Sequence, residues 1–589
     1  MRSTALFLKK SSTVINGKTY HHYKIVESYR KENKVKHRIL FNIGTLTDEQ
    51  AEQLKLALQV KSNPSILVAK ESDLVVTKSI AYLDVIALRL LWQDWKLHTM
   101  FPDDRWIEAL VINRCIDPSS KIRLQSWAME TALAALIPAI RTYNEFDVYR
   151  ELDRLNKQEE ELQRFLHAQL RKHGKLDTQA YFYDITSSYM EGSRCVIARL
   201  GYSRDHRPDR EQIVIALMIT PEGYPFYWRV LDGNTQDITT IEPLVHDLKR
   251  KFGIEQCTLV FDRGMVSKEN LDHLTGQGHQ YVSAMDKDEI RTTVLDLVMP
   301  EAAKPEDWEQ VMAMREFVPY DDNALMFYRS LMLEGNRYTV TFDVQRFLDQ
   351  TKQRQRSMQA IEVQIRQMNE RLRQARKSRN ELLVKRDVQK LLSRKGFKKL
   401  AETNVTPLSI DVPSSSGNTR QVNSFQIDLK WKRDELQDAA RLDGLTCFIT
   451  NMNHASFSDR EVVSLYRRKN KVEEAFHEIK SHLQLRPMHV TRTERVKAHV
   501  TICMLANFLM NDMEQRLSAA GQKISPPDVL QALKSCQIHK LEITTSKRSM
   551  WKVQEITEKQ QAYLTALQCE KSYDSKFKKQ VLELTKTSL

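Results

Sequence analysis

The chain has 589 residues, a formal net charge of +14 and an apolar fraction ordinary for a globular protein, with no low-complexity tract. That length implies several domains, and the basic balance calls for a polyanionic partner. Sixteen Lys or Arg stand against four Asp or Glu between Thr351 and Leu400, so nearly all of the surplus charge sits in one segment.

Seven scattered Cys without a Cys-x-x-Cys pair exclude a disulfide framework and a thiolate zinc site, and fit reduced thiols in a cytosol. The N-terminus has no apolar signal core. The most apolar stretch, Val500 to Met513, is too short for a span and carries Asn507, Asn511 and Asp512, which predicts a buried helix. The expectation is a cytoplasmic protein.

Thr19–Val26 alternates, a turn falls near Glu32–Lys34, and alternation resumes through His37–Ile43, which predicts a basic hairpin. Thr47 with Gln50 forms a capping box for a helix ending near Val60. This module, residues 1–70, reads equally as a small DNA-binding unit or as a packing or oligomerisation unit. Residues 71–175 are expected to be helical, either a plain bundle or a DNA-end-binding or dimerisation region.

Ala180-Tyr181-Phe182-Tyr183 predicts a short strand ending on Asp184. Strands over Gln212–Thr220 and Tyr224–Leu231 are joined by Pro221-Glu222-Gly223, a turn signal. A helix over Thr239–Phe252 precedes the apolar run Cys257–Phe261, which delivers Asp262-Arg263-Gly264. A helix from Lys268 and a strand over His279–Ala284 follow. Residues 176–286 therefore predict the first part of a mixed α/β sheet with flanking helices.

Residues 287–445 read as an insertion domain. Its basic part spaces Met358, Ile361, Ile365, Met368, Leu372 and Ala375 alternately by three and four, an a/d heptad that reads as a solvated helical hairpin or a nucleic-acid contact. Pro413–Gly417 reads as a flexible link. The sheet resumes with Cys447–Thr450 in a second core part, 446–515, and residues 516–589 are expected to be helical.

The segment Tyr466–Lys480 organises the rest. As one helix it places Tyr466, Lys469, Glu473 and Lys480 within an arc of roughly 60°. Val472, Phe476, Ile479 and Leu483 form an adjacent apolar stripe that would seat it on a core. An ordinary amphipathic surface helix shares this pattern. Two further carboxylates distinguish it: Asp184 and Asp262 at the ends of apolar strands, with Asp232 and Asp237 as competing acids. Phosphoryl transfer on DNA uses such a set to bridge two divalent metals roughly 3.5–4 Å apart.

Together these features resemble the DDE transposases of bacterial insertion sequences, in the branch with a Tyr-x-x-Arg-x-x-x-Glu-x-x-x-x-x-x-Lys signature. Tyr466, Glu473 and Lys480 match its spacing, and Lys469 stands at the Arg position, which keeps charge but not bidentate geometry. Tyr183-Asp184-Ile185-Thr186 and Asp262-Arg263-Gly264 resemble its first and second Asp motifs, and Lys480-Ser481-His482-Leu483 through Arg486-Pro487 resembles the segment after the catalytic Glu in one subgroup. The resemblance runs from about Gln179 to Phe508.

It implies an RNase H-like core interrupted by a large insertion domain, with Asp184, Asp262 and Glu473 as catalytic and metal-binding residues. It implies Mg²⁺, two ions with Mn²⁺ able to substitute, and cut-and-paste cleavage and strand transfer. Tyr466, Arg467, Arg468, Lys469 and Lys480 would bind DNA, and Trp308 or Trp431 would stack on a flipped base. The implied partners are double-stranded DNA, as terminal inverted repeats and target, and a second copy in a homodimer. An inactive transposase-derived DNA-binding protein is the alternative. A tyrosine recombinase built on His489, Arg492 and Tyr563 is remote, and His477, His482, His489 and His499 do not converge on a zinc site.

Overall fold

Three long antiparallel strands open the fold, β1 (Ala5–Ile15), β2 (Lys18–Lys31) and β3 (Lys34–Gly44). The computed structural model describes every residue except 1–4, 17, 32–33, 61–67, 102–104, 143, 177–179, 193, 323–324, 395, 414–418 and 589. The turn expected near Glu32–Lys34 thus falls largely outside the described residues. Strand β1 is an addition to the expected hairpin; its centre, Lys-Lys-Ser-Ser, hides the apolar alternation. Helix α1 (Asp48–Gln59) starts on the Thr47–Gln50 capping box and packs Ala51, Leu54 and Leu58 against Leu8, Tyr23 and Ile25.

A strand, β4 (Leu74–Ala81), precedes the helical region α2 (Leu83–Asp94), α3 (Arg105–Ile116), α4 (Glu145–Lys157) and α5 (Glu159–Lys172). These helices share one continuous core with the central sheet, through residues such as Ile86, Trp92, Ile112 and Leu152.

The central sheet is built from β5 (Ala180–Tyr189), β6 (Gln212–Ile219), β7 (Pro225–Leu231), β8 (Thr258–Phe261), β9 (Gln280–Ala284), β10 (Val318–Pro319), β11 (Met326–Leu333) and β12 (Asn336–Asp343). Helices α6 (Ile241–Phe252) and α7 (Lys268–Gly276) connect β7 to β8 and β8 to β9. The chain then makes an excursion through α8 (Val344–Arg373), α9 (Glu381–Arg394), β13 (Ala401–Pro413) and β14 (Thr419–Trp431), and returns as β15 (Leu445–Thr450).

The nine strands run β10-β11-β12-β15-β9-β8-β5-β6-β7, with β5, β8 and β9 parallel and the other pairs antiparallel. This is a mixed α/β sheet of the RNase H-like kind. Strands β11 and β12, which lie inside the stretch read as an insertion, extend that sheet by pairing β12 with β15. The excursion proper has its own core, in which Ile361, Ile365 and Leu372 of α8 pack with Val388 of α9 and Phe425 and Ile427 of β14. The heptad stripe is therefore consumed within the excursion, while Arg366, Arg371, Arg373 and Arg376 remain exposed. Pro413 ends β13 opposite Thr419, and residues 414–418 of the Ser-rich segment lie outside the described residues.

Beyond the sheet come α10 (Asp459–Arg468), α11 (Asn470–Lys480) and α12 (Thr493–Ala519), the last buried along most of its length as Val500–Met513 predicts. The C-terminal stretch is helical at α13 (Pro526–Lys534), α14 (Glu558–Ala566) and α15 (Ser575–Ser588). It also contains a hairpin, β16 (Gln537–Ile543) and β17 (Arg548–Val553), where only helix was expected. β16 pairs with β4 from the other end of the chain, and a bulge between Lys540 and Leu541 breaks its period-two pattern.

Candidate active site

Asp184 lies in the middle of β5, because residues Ile185 to Ser188 continue the strand by pairing with Ala216 to Ile213 of β6. Strand β8 pairs only with the first part of β5, in the parallel register Phe182↔Val260. Asp262 follows directly on β8, beside the strand that carries Asp184, and the two carboxylates are close enough for the charge of Asp262 to act on Asp184. Asp262 caps the turn after β8, its Oδ1 accepting from the Arg263 amide at 2.9 Å. Gly264 presses against Asp237: a Cβ there would stand 3.1 Å from Asp237 Oδ2.

Glu473 comes from the other side of the site. The organising segment is two helices, α10 and α11, with Lys469 at the break. A Ser458–Glu461 capping box starts α10. Arg337, fully buried in β12, fixes that start by donating to Phe457 O at 2.8 Å and Asp459 Oδ1 at 3.3 Å. Val472, Phe476, Ile479 and Leu483 are all buried, and they seat α11 against β5. Glu473 stays 62% exposed, while Lys469 is buried with its Nζ 3.2 Å from Glu473 Oε1.

Five side chains share one electrostatic neighbourhood. Burial pushes the Asp184 carboxyl up to about 6; Lys469 pulls it down, and Asp262 and Glu473 push it further up. Burial lowers the Lys469 ammonium, but Asp184, Asp262 and Glu473 together hold it above its ordinary value. Tyr466 stacks on Phe448 of β15 with ring centroids 4.2 Å apart. Burial, then the charges of Asp262, Glu473 and Asp184, lift the pKa of its hydroxyl far above the usual range.

The remaining basic candidates are individually engaged. Lys480 Nζ lies 2.8 Å from Asp205 Oδ1, and Arg486 pairs with the same buried carboxylate. Arg467 sits over the Tyr320 ring at 5.3 Å, and Arg468 lies 3.7 Å from Glu222. Of the competing acids, Asp237 is paired with Arg204, and Asp232 is exposed after β7. Trp308 packs against Phe327 and Phe342, whereas Trp431 donates to Glu362 Oε1 at 2.8 Å.

The roles of Asp205, Arg204 and Arg486 were not evident in the sequence. The clue available there was charge: a lysine tucked beside an apolar stripe needs a carboxylate, and Asp205 stands in an Arg-rich loop.

Among the described residues, no three or more His, Cys, Asp or Glu side chains are gathered closely enough to hold a metal ion. The donor set still suits one, since hard carboxylate oxygens are the ligands Mg²⁺ prefers. The field that Asp184, Asp262 and Glu473 share is met by the Lys469 ammonium. His482 Nε2 and His499 Nε2 instead face the carbonyls of Cys115 and Leu485.

The family model for the transposase DDE domain matches residues 177–509, more than half of the chain. The model for the N-terminal domain of IS1634 family transposases matches residues 8–65. The chain is a DDE transposase of an insertion sequence. In the transposase the larger match spans Asp184, Asp262 and Glu473 together with the whole excursion, and the smaller one covers the β1–β3 module. The family leaves no place for a recombinase tyrosine, and Tyr563 is buried in α14. A search of curated proteins gave no match to the transposase.

Proposed function

We propose that the transposase binds the two ends of its element, cleaves the DNA there, and joins the freed 3′-OH to target DNA by a cut-and-paste route. Asp184, Asp262 and Glu473 carry the chemistry. The observation that supports this reading is the electrostatic neighbourhood that Asp184 of β5, Asp262 just after β8 and Glu473 of α11 share around the buried Lys469 ammonium. Mg²⁺, or Mn²⁺ in its place, bound by these three residues would activate the attacking oxygen and relieve charge on the leaving one.

The chain's own groups do the rest. Tyr466 holds its hydroxyl in the field of Asp262, and its stack on Phe448 keeps the ring fixed. Lys469 balances the three acids and lies where a phosphate beside the cleaved bond would need a cation. Arg467, Arg468 and Lys480 flank α10 and α11 and supply contacts of the kind that position a backbone without reading sequence. The β1–β3 module and the helical region up to residue 175 read the ends or join two copies into a homodimer, acting in the cytoplasm.

Wild-type protein and Glu473→Gln, each given DNA bearing the element's own ends with Mg²⁺ or Mn²⁺, test this directly. Binding by both with strand cleavage only by the wild type is the expected result. Equal cleavage by both removes Glu473 from the site, and tight binding without cleavage by either leaves an inactive DNA-binding protein.

A further inference from the structure

Between α3 and the loop that leaves α11 lies a cavity of about 320 Å³ that the chemistry above does not use. Arg114, Lys121, Arg486, His489 and His499 line it, and none of its lining residues carries a carboxyl group. Arg486 already has Asp205 as its partner. Arg114 has none of that kind among the described residues. It is only 6% exposed, its Nη1 and Nη2 reach the carbonyls of Leu483 at 3.4 Å and Ser119 at 3.3 Å, and its buried Nε has no hydrogen-bond partner.

Lys121 Nζ lies 3.0 Å from His499 Nδ1. Burial, with Arg114 adding to it, pushes the Lys121 ammonium down to about 7. Burial and then the charges of Lys121 and Arg114 press His499 well below its ordinary value. Arg114, Lys121 and His499 thus share one cavity, and a bound anion there would favour the protonated forms of the last two.

We propose that this cavity is an oxyanion site that takes one phosphate group, with Arg114 and Lys121 as its charged donors and the Ser119 and Ser120 hydroxyls at its mouth. A guanidinium fork and an ammonium around a tetrahedral oxyanion form strong charge-assisted hydrogen bonds. The phosphate comes either from a DNA backbone or from free phosphate. In the first case the Arg486–Asp205–Lys480 chain ties the bound phosphate to the end of α11, and that case alone rests on the proposed function.

Two measurements on the full chain decide it, each on wild type, Lys121→Met and Ser120→Glu. Ser120 is exposed, so the second variant places a carboxylate at the mouth without disturbing the core. Inorganic phosphate, compared with chloride at equal ionic strength, should raise the wild-type unfolding midpoint and leave both variants unmoved. The salt dependence of binding to a duplex is the second readout.

A slope smaller by about 0.9 in the variants identifies a backbone phosphodiester, because each lost phosphate contact removes that much. An unchanged slope with the phosphate response lost identifies free phosphate. A wild type indifferent to phosphate with equal slopes throughout, or variants that respond as the wild type does, overturns the site. Glu473→Gln should keep the phosphate response in full, which separates failure of this cavity from failure of the cleavage chemistry.

Discussion

Lys469 and Glu473 form an ion pair one helical turn apart in which the cation is buried and the carboxylate faces solvent. The ammonium also lies within the field of Asp184 and Asp262, and the three acids together hold its proton on. A lysine so placed occupies the field that a divalent cation would enter.

Replacing Lys469 with Met should therefore sharpen the response to metal. The three acids lose their only shared counter-charge in the described site, so the variant should be less stable than the wild type without metal. Mg²⁺ should then raise its unfolding midpoint by more than it raises that of the wild type. Thermal unfolding with and without Mg²⁺ measures both, and an equal metal response in the two proteins would separate Lys469 from the acids.

Asp205 holds two cations at once, Lys480 and Arg486, with 3% of its side chain exposed. Asp205→Asn leaves both without a carboxylate and should cost about 3 kcal/mol, as removal of one partner from a buried pair does. Adding Lys480→Met to it should recover part of that loss. Urea unfolding of the two singles and the double gives the coupling, and strict additivity would sink the account.

Asp84, in the first turn of α2, is fully buried, and neither carboxylate oxygen has a hydrogen-bond partner of ordinary geometry. Burial raises its pKa from 3.8 to about 6. The folded chain thus keeps a proton that the unfolded chain has released, and stability falls as pH rises through that window. Asp84→Asn should stabilise the protein at pH 7 by at most about 3 kcal/mol, because holding the proton costs about 1.4 kcal/mol for each tenfold fall in proton activity across the window. The advantage should all but vanish near pH 3, below both values, where both states hold the proton. Chemical denaturation at the two pH values measures it.

Ile365→Ala should loosen the excursion and leave the central sheet intact. Ile365 packs in a core separate from that of the sheet, and such truncations cost about 2–5 kcal/mol. Hydrogen exchange should quicken in β13 and β14 while β5 and β8 keep their protection. Equal quickening in both regions would mean the two cores unfold as one.

The central strands, the Thr47–Gln50 capping box and the apolar stripe of α11 were legible because each is written in nearby residues. Val472, Phe476, Ile479 and Leu483 announce their burial by spacing alone. The length of β5 was not legible, since Thr186, Ser187 and Ser188 look like a turn and become strand only through β6. The extension of the sheet by β11 and β12 was hidden for a related reason: their partner, β15, lies beyond the whole excursion. In the candidate site, the acids could be named from motif and strand context. The Asp205 pairings could not, because they join a loop to a helix across 275 residues.

The small sheet shared by β4 and β16 acts as a clasp on the whole chain. Thr77 donates to the Lys540 carbonyl across 463 residues, so the edge of β4 stays open until that later segment has been made. The helices that follow β4 are then sealed from both ends of the polypeptide at once. Removing the chain beyond α12 would strip that seal and expose a strand edge on a molecule in which Asp184, Asp262 and Glu473 are all present. Arrival of β16 thus becomes a checkpoint on whether the molecule stays discrete or pairs, edge to edge, with another copy that lacks it.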